Sequence, residues 1–356
     1  MPTQRLASDI AAAVSSVVVG KAAQIRLLLI ALLAEGHVLV DDVPGVAKTL
    51  LVRTLAAALG LGFARVQSTP DLLPGDVTGS LVFDQRSADF SFRPGPIFAN
   101  LVLVDEINRA TPRTQAAFLE AMEERTVSVE GVDHPLPRPF LVLATQNPVE
   151  LKGTFPLPEA QLDRFLLRMR MGYPDERDEV AMLERFRGDD PLERVAPVAG
   201  VDDVLTGRDA TRAVFVAPDV EAYIVALVRS TRVADDVQLG ASPRAALALM
   251  RAAQAAALLA GRDFVTPDDV RGLVVPVLAH RLVLSREATL QRRSPDDVVE
   301  SLAGEVPAPV ESAGDAGGRA LARAPAAAPG PAGPTEPSPE PADEPAGAAG
   351  SSALGR

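Results

Sequence analysis

The 356-residue chain contains no cysteine, so disulfide bridges, thiolate nucleophiles and cysteine metal centres are excluded. It has no tryptophan and only two tyrosines, which leaves Leu, Val and Ala to build a core from the 47% of residues that are hydrophobic. Basic residues are outnumbered: 35 Lys and Arg face 47 Asp and Glu, for a formal net charge of -12. A surface this acidic is repelled by phosphate backbones, so general nucleic-acid binding is disfavoured. Long apolar runs are missing too. The most apolar early stretch, residues 25–33, is interrupted at Glu35, too soon to span a bilayer. The N-terminus lacks the charged start, apolar run and cleavage site of a secretory signal, so a cytoplasmic protein is expected. The three histidines, His37, His134 and His280, lie far apart without ligand-like spacing and read as structural.

What is present is a regular alternation of strand-like and helix-like segments. Residues 1–35 read as two helices, the second with apolar residues at Ile25, Leu28, Leu29 and Leu32. The run His37-Val38-Leu39-Val40 has strand character and a helical segment follows at 49–59, the opening of a βαβ unit. Four further apolar runs lie at 63–66, 101–104, 140–144 and 165–171. The middle two alternate little, as expected of strands buried on both faces. Thr111-Pro112 reads as an N-cap with proline in the first turn of a helix ending near Glu124. Together these predict an α/β domain with a parallel sheet over residues 1–175.

Residues 176–303 hold helical candidates at 176–187, 218–232, 243–259 and 267–284, and predict a smaller helical domain. Residues 304–356 are rich in Ala, Pro, Gly and acid, with ten of the chain's 31 prolines. Such composition cannot bury enough apolar surface to offset its ordering entropy, so a disordered tail is expected.

The central chemical signal is Asp42-Val43-Pro44-Gly45-Val46-Ala47-Lys48-Thr49-Leu50, set between a strand and a helix. That context is the one a phosphate-binding loop requires. The loop from Val43 to Leu50 would cradle phosphates with its backbone N–H groups, Pro44 having none, and the helix N-terminus would be aimed at them. Lys48 would place a charge near the β and γ phosphates, and the Thr49 hydroxyl would ligate Mg²⁺. Both glycines of the G-x-x-x-x-G-K-[ST] pattern are replaced, by Asp42 and Ala47. The expectation is that Ala47 has a helical backbone and that the Asp42 side chain turns away.

Downstream, Leu101-Val102-Leu103-Val104 ends in Asp105-Glu106, an apolar strand delivering two carboxylates to the sheet's carboxyl edge. Asp105 would hold Mg²⁺ and Glu106 would polarise an attacking water. A third strand ends in Gln146-Asn147, and the neutral Asn147 amide can position water without competing for its proton. Phosphoryl transfer also needs a cation on the developing charge, for which Arg164 and Arg244 are the candidates.

With these residues in view, the sequence resembles the MoxR family of AAA+ ATPases over about residues 5–300. The resemblance rests on Gly36-His37-Val38-Leu39-Val40, the loop from Asp42 to Thr49, and Asp105-Glu106-Ile107-Asn108-Arg109-Ala110. It rests also on Gln115-Ala116-Ala117-Phe118-Leu119-Glu120-Ala121-Met122, Ala144-Thr145-Gln146-Asn147-Pro148 and Pro158-Glu159-Ala160-Gln161-Leu162-Asp163-Arg164-Phe165. It implies an AAA+ core with strand order 5-1-4-3-2 followed by an all-α lid. It implies ATP and Mg²⁺ as ligands, Asn147 as sensor 1, Arg244 as sensor 2 from the lid, and Arg164 as an arginine finger reaching a neighbouring subunit. Residues 75–98 resemble an insert in helix 2, and residues 125–139, with Val127, Val129 and Gly131, resemble the hairpin before sensor 1. Members are similar to hexameric rings that work with von Willebrand factor A-domain proteins in chaperone-like activation or complex maturation. An ATP-binding scaffold with little turnover and a chelatase-type motor subunit are the alternatives; Glu106, whose carboxylate a dead site usually lacks, argues against the first.

Overall fold

The five apolar runs all enter one sheet. The computed structural model describes residues 2–41, 45–86, 88–147 and 153–309. The strands are β1 (Val38–Asp41), β2 (Phe63–Gln67), β3 (Leu101–Asp105), β4 (Leu141–Gln146) and β5 (Leu167–Met169). Every adjacent pair is parallel and the spatial order is β2-β3-β4-β1-β5, the expected 5-1-4-3-2 order counted from the other edge. The last strand is shorter than the apolar run at 165–171, because Phe165 and Leu166 pack before the ladder begins.

Both faces of the sheet are covered, which is why β3 and β4 read as continuous apolar runs. Val38, Val40, Leu101, Leu103, Leu141 and Leu143 face a core that includes Ile10 and Val14 of helix Pro2–Ser15 and Leu51, Val52 and Leu55 of helix Lys48–Ala58. The alternate residues Leu39, Val102, Val104 and Val142 face Phe118, Leu119 and Met122 of helix Pro112–Glu124. That helix begins as expected, with Thr111 Oγ1 accepting from Thr114 N at 3.4 Å and Pro112 in its first turn. Parallel register then brings the carboxyl ends of β1 to β4 to one edge, Gln67 beside Asp105 and Asp41 beside Gln146.

Two hairpins stand off this core. Helix Pro74–Thr78 leads into antiparallel strands Gly79–Asp84 and Asp89–Pro94. Thr126–Val129 pairs with Val132–Pro135 through Glu130-Gly131, both at positive φ (49° and 79°), the geometry of a tight primed turn. The Phe92 and His134 rings stack at 3.9 Å and so join the two hairpins.

Helix Ala22–Leu33 is buried on nearly every side, because helices Val201–Arg212 and Pro243–Leu259 cover the faces that the core does not. The expected helix at 267–284 is instead broken into Pro267–Arg271, Val274–Leu278 and a 3₁₀ turn Ala279–Arg281. Pro276 cannot donate to the Gly272 carbonyl, so one continuous helix is not available there. Its last residues, Val283–Leu284, pair antiparallel with Val237–Leu239. The final described helix, Pro295–Glu305, runs past residue 303. The rest of the expected tail, 310–356, lies outside the described residues. Among the described residues no helix is long and apolar enough to cross a membrane.

His37 cross-links three elements from the middle of this packing. Its Nδ1 accepts from Val142 N at 3.0 Å, so Nε2 carries the proton that it donates to Met122 O at 3.0 Å. Burial, reinforced by nearby Arg125, pushes its pKa down from 6.5 to about 3. His280, buried with Nε2 facing Phe165 O at 3.2 Å, is lowered for the same leading reason, burial. Both rings stay neutral in the folded protein while the unfolded chain gains protons below pH 6.5. Folding stability is therefore complete above that pH and falls as pH drops toward 3. His37 alone is expected to cost about 2 kcal/mol on going from pH 7 to pH 5. Urea unfolding at the two pH values checks this; equal midpoints would contradict it.

Candidate functional site

The carboxyl edge of the sheet and the start of helix Lys48–Ala58 enclose a cavity of about 440 Å³. Gly45, Val46, Ala47, Lys48, Thr49 and Leu50 line one side; Asp105, Glu106, Thr145 and Asn147 line the other. The structure thus brings the described loop residues, the acid pair and the amide together. Val43 and Pro44, like Asp42, lie outside the described residues.

The loop turns on two left-handed residues. Gly45 has φ +85°, a conformation that suits glycine. Ala47 has φ 61° and ψ 22°, not the helical backbone expected of it. The chain must reverse direction there to aim the first N–H groups of the helix into the cavity. The tight turn overrides alanine's preference, at the strain typical of functional loops. Positive charge then accumulates from three sources on that side: the helix end, the loop amides and Lys48.

On the opposite side, backbone register builds the acid pair. Val104 pairs with Ala144, so Thr145 lies beside Asp105. Thr145 Oγ1 donates to Asp105 Oδ1 at 3.3 Å and accepts from Glu106 N at 2.9 Å. One buried hydroxyl therefore fixes both acids. Arg65 Nε stands 2.6 Å from Asp105 Oδ2. Glu106 leaves the strand at φ 56°, also left-handed, a backbone that non-glycine residues seldom adopt away from functional sites. Gln67 Nε2 donates to Glu106 Oε2 at 3.2 Å, and Arg109 Nε lies 3.0 Å from the same oxygen. Asn147 is buried at the end of β4 and faces the same cavity.

The donor set suits a small hard cation. Thr49 and Asp105 bring a hydroxyl and a carboxylate to one cavity, the oxygen ligands that Mg²⁺ prefers alongside phosphate and water.

Arg164 and Arg244 do not line this cavity. They lie together in a separate one of about 320 Å³, with Glu123, Asp163, Arg251 and Arg281. Arg164 follows the short helix Glu159–Leu162, and Arg244 sits in the first turn of Pro243–Leu259.

Sequence reasoning missed several contributors. Arg65 and Gln67 carry no motif, and only the β2–β3 register brings them to the acids; Arg109 belongs to the Asp105–Ala110 segment but had no role until the 3₁₀ turn Ile107–Arg109 brought it back to Glu106. Thr145 stood inside a quoted motif without a role. A second cavity of about 190 Å³ was also missed. It shares Gly45, Val46, Ala47 and Leu50 with the first and is walled by Val17, Val18, Tyr173, Pro174, Met182 and Phe186. Its walls come from residues far apart in sequence, Val17 and Val18 on one side and Tyr173 to Phe186 on the other, so no local pattern marks it.

Comparison with known proteins adds an independent line. A family model for the ATPase family associated with various cellular activities (AAA) matches residues 37–167, and one for an AAA lid domain matches residues 229–302. The chain is 48% identical over 298 residues to the uncharacterised protein YeaC of Bacillus subtilis (strain 168), covering 84% of this chain and 93% of that one. It is 41% identical over 309 residues to Chaperone MoxR1 of Mycobacterium tuberculosis, covering 84% and 81% respectively. A crystal structure of a Cytophaga hutchinsonii protein assigned as an ATPase matches with a TM-score of 0.82 at 38% identity, covering 87% of this chain and 96% of that one.

Proposed function

This chain belongs to the MoxR family of AAA ATPases, and we propose that it is a chaperone-like motor coupling ATP hydrolysis to the remodelling of partner proteins in a hexameric ring. The observation that carries the reading is the single cavity facing Lys48 and Thr49 on one side and Asp105, Glu106 and Asn147 on the other. The triphosphate lies along the loop amides and the helix N-terminus, with Lys48 at the β and γ phosphates. The adenine enters the adjoining apolar cavity against Val17, Val18 and Met182. Thr49 and Asp105 would hold Mg²⁺, which when bound would supply positive charge against the phosphates.

Glu106 is the general base. Gln67 and Arg109 both contact Oε2, which holds the carboxylate in place and directs Oε1 at the attacking water. Asn147 orients that water and the γ phosphate. Arg164 and Arg244 lie in another cavity of the same chain, so the cations that stabilise the transition state come from a neighbouring copy. Hydrolysis then requires assembly, and assembly places the two hairpins around a shared pore where a client can be gripped. A von Willebrand factor A-domain protein fits the partner role in the cytoplasm.

Mixed assemblies test this directly. Arg164→Ala subunits keep an intact pocket but offer no finger; Lys48→Ala subunits lose the pocket and keep the finger. Arg164→Ala alone is expected to reduce turnover roughly a thousandfold or more. Mixing the two variants is expected to recover turnover well above the sum of the parents. Mixtures that stay at that sum contradict action between copies.

A further inference from the structure

Arg164 and Arg244 are 80 residues apart in sequence, yet a single carboxylate joins them. Glu123, in the last turn of helix Pro112–Glu124, gives each guanidinium one oxygen. Arg164 Nε is 3.1 Å from Oε2 and Arg244 Nη2 is 3.0 Å from Oε1. Arg164 Nη1 also donates to Leu119 O at 2.7 Å, one turn earlier on the same helix. The backbones beside the two arginines are tied as well. Asp163 Oδ2 accepts from Ser242 Oγ at 2.9 Å, and Asp163 Oδ1 accepts from Arg281 Nε at 2.7 Å.

Arg244 is out of place by ordinary helix electrostatics. It sits in the first turn of Pro243–Leu259, where the helix end is itself positive and no acid occupies that turn. A second cation stands beside it. Glu123 is the anion that makes this arrangement tolerable. It uses only part of the arginines' donor capacity, since each guanidinium carries five N–H groups in a fixed fork. Two guanidiniums on one carboxylate keep a net positive charge and spare donors, and Arg244 remains half-exposed, with 51% of its side chain accessible.

We propose that Glu123 is a positioning residue that binds the core arginine Arg164 and the lid arginine Arg244 into one preorganised dication, presented as a unit to the triphosphate held by a neighbouring copy. The inference rests on the reading that these arginines act between copies. Because the pair spans core and lid, a shift of the lid would carry Arg244 away from Arg164, and Glu123 is the contact that holds the two together.

Glu123→Gln keeps the side chain's size and removes its charge. Full-length protein carrying it is expected to bind ATP as the wild type does, while turnover at saturating ATP falls roughly ten- to a hundredfold. Glu123→Asp, which restores the charge on a shorter stem, is expected to recover part of the loss and also serves should the glutamine variant not fold. In an Arg164→Ala background, Glu123→Gln is expected to cause little further loss, since the group it positions is gone. Wild-type or raised turnover in Glu123→Gln, alongside a large defect in Arg164→Ala, would overturn the positioning role and leave the reading between copies intact. Additive losses in the double variant would overturn it too, because they would separate Glu123 from Arg164. Normal turnover in Arg164→Ala would remove the underlying reading and the inference with it.

Discussion

Lys48→Ala is expected to weaken ATP binding by roughly two to three orders of magnitude, the cost of deleting one partner of a desolvated charge pair. The loop amides and helix dipole remain in the variant, but they are partial charges spread over several groups. Two full cations line the candidate cavity, Lys48 and Arg65; Arg65 is paired with Asp105, whereas Lys48 stands at the first residue of helix Lys48–Ala58, on the loop side. Its removal leaves the Asp105 and Glu106 carboxylates across the cavity facing an anionic ligand with less compensation. Calorimetric titration of ATP with Mg²⁺ into the variant measures the effect. An affinity within a few-fold of wild type would show that the phosphates bind elsewhere.

Glu106→Gln is expected to separate binding from chemistry. The amide keeps the size of the carboxylate and can still contact Gln67 and Arg109 on one side. It cannot take the proton of a water, so turnover is expected to fall roughly a hundred- to ten-thousandfold while ATP affinity stays near that of wild type. The left-handed backbone at Glu106, φ 56°, is a second reason to expect specialisation. Strain at a non-glycine residue persists where surrounding structure demands one side-chain direction. Single-turnover phosphate release reads the chemical step alone. Unchanged release would remove the base assignment. The same variant, saturated with ATP, is the one with which to retain and identify partner proteins.

The legible parts of this protein are those whose signal is contiguous. The candidate phosphate loop, the acid pair and Asn147, just past the end of β4, each lie in one short segment, and a parallel sheet places all three on one edge. The two hairpins were expected only through the family resemblance, and the structure forms antiparallel pairs in both segments. What was not legible depends on register or on distant partners. Gln67 reaches Glu106 only because β2 pairs with β3 in one register. Glu123 looks like any acid near a helix end until Arg164 and Arg244 arrive from 41 and 121 positions later.

One helix was hidden by its own chemistry. Val201–Arg212 escaped notice because its buried face includes Arg208, only 3% exposed, where a helical period calls for an apolar residue. Arg208 Nε donates to Leu32 O at 2.9 Å, and Arg212 pairs with Glu35 Oε1 at 2.7 Å, so this face is stitched to the core by polar contacts. Burial, opposed in part by Glu35, pushes the Arg208 guanidinium down to about 10. The departure at Ala47 has a similar origin. Sequence offers an alanine and therefore a helical backbone, whereas the loop's reversal demands φ 61°.

The proposed ring stands on one triphosphate being gripped by Lys48 of one copy and neutralised by Arg164 of the next. A cryo-electron microscopy structure of the Glu106→Gln protein with ATP and Mg²⁺ tests it most directly. The expected result is a closed ring with nucleotide in the Lys48 cavity and the Arg164 guanidinium of the adjacent copy within hydrogen-bond distance of the γ phosphate. Nucleotide bound with no neighbouring arginine near it, or a Lys48 cavity without nucleotide, would contradict it.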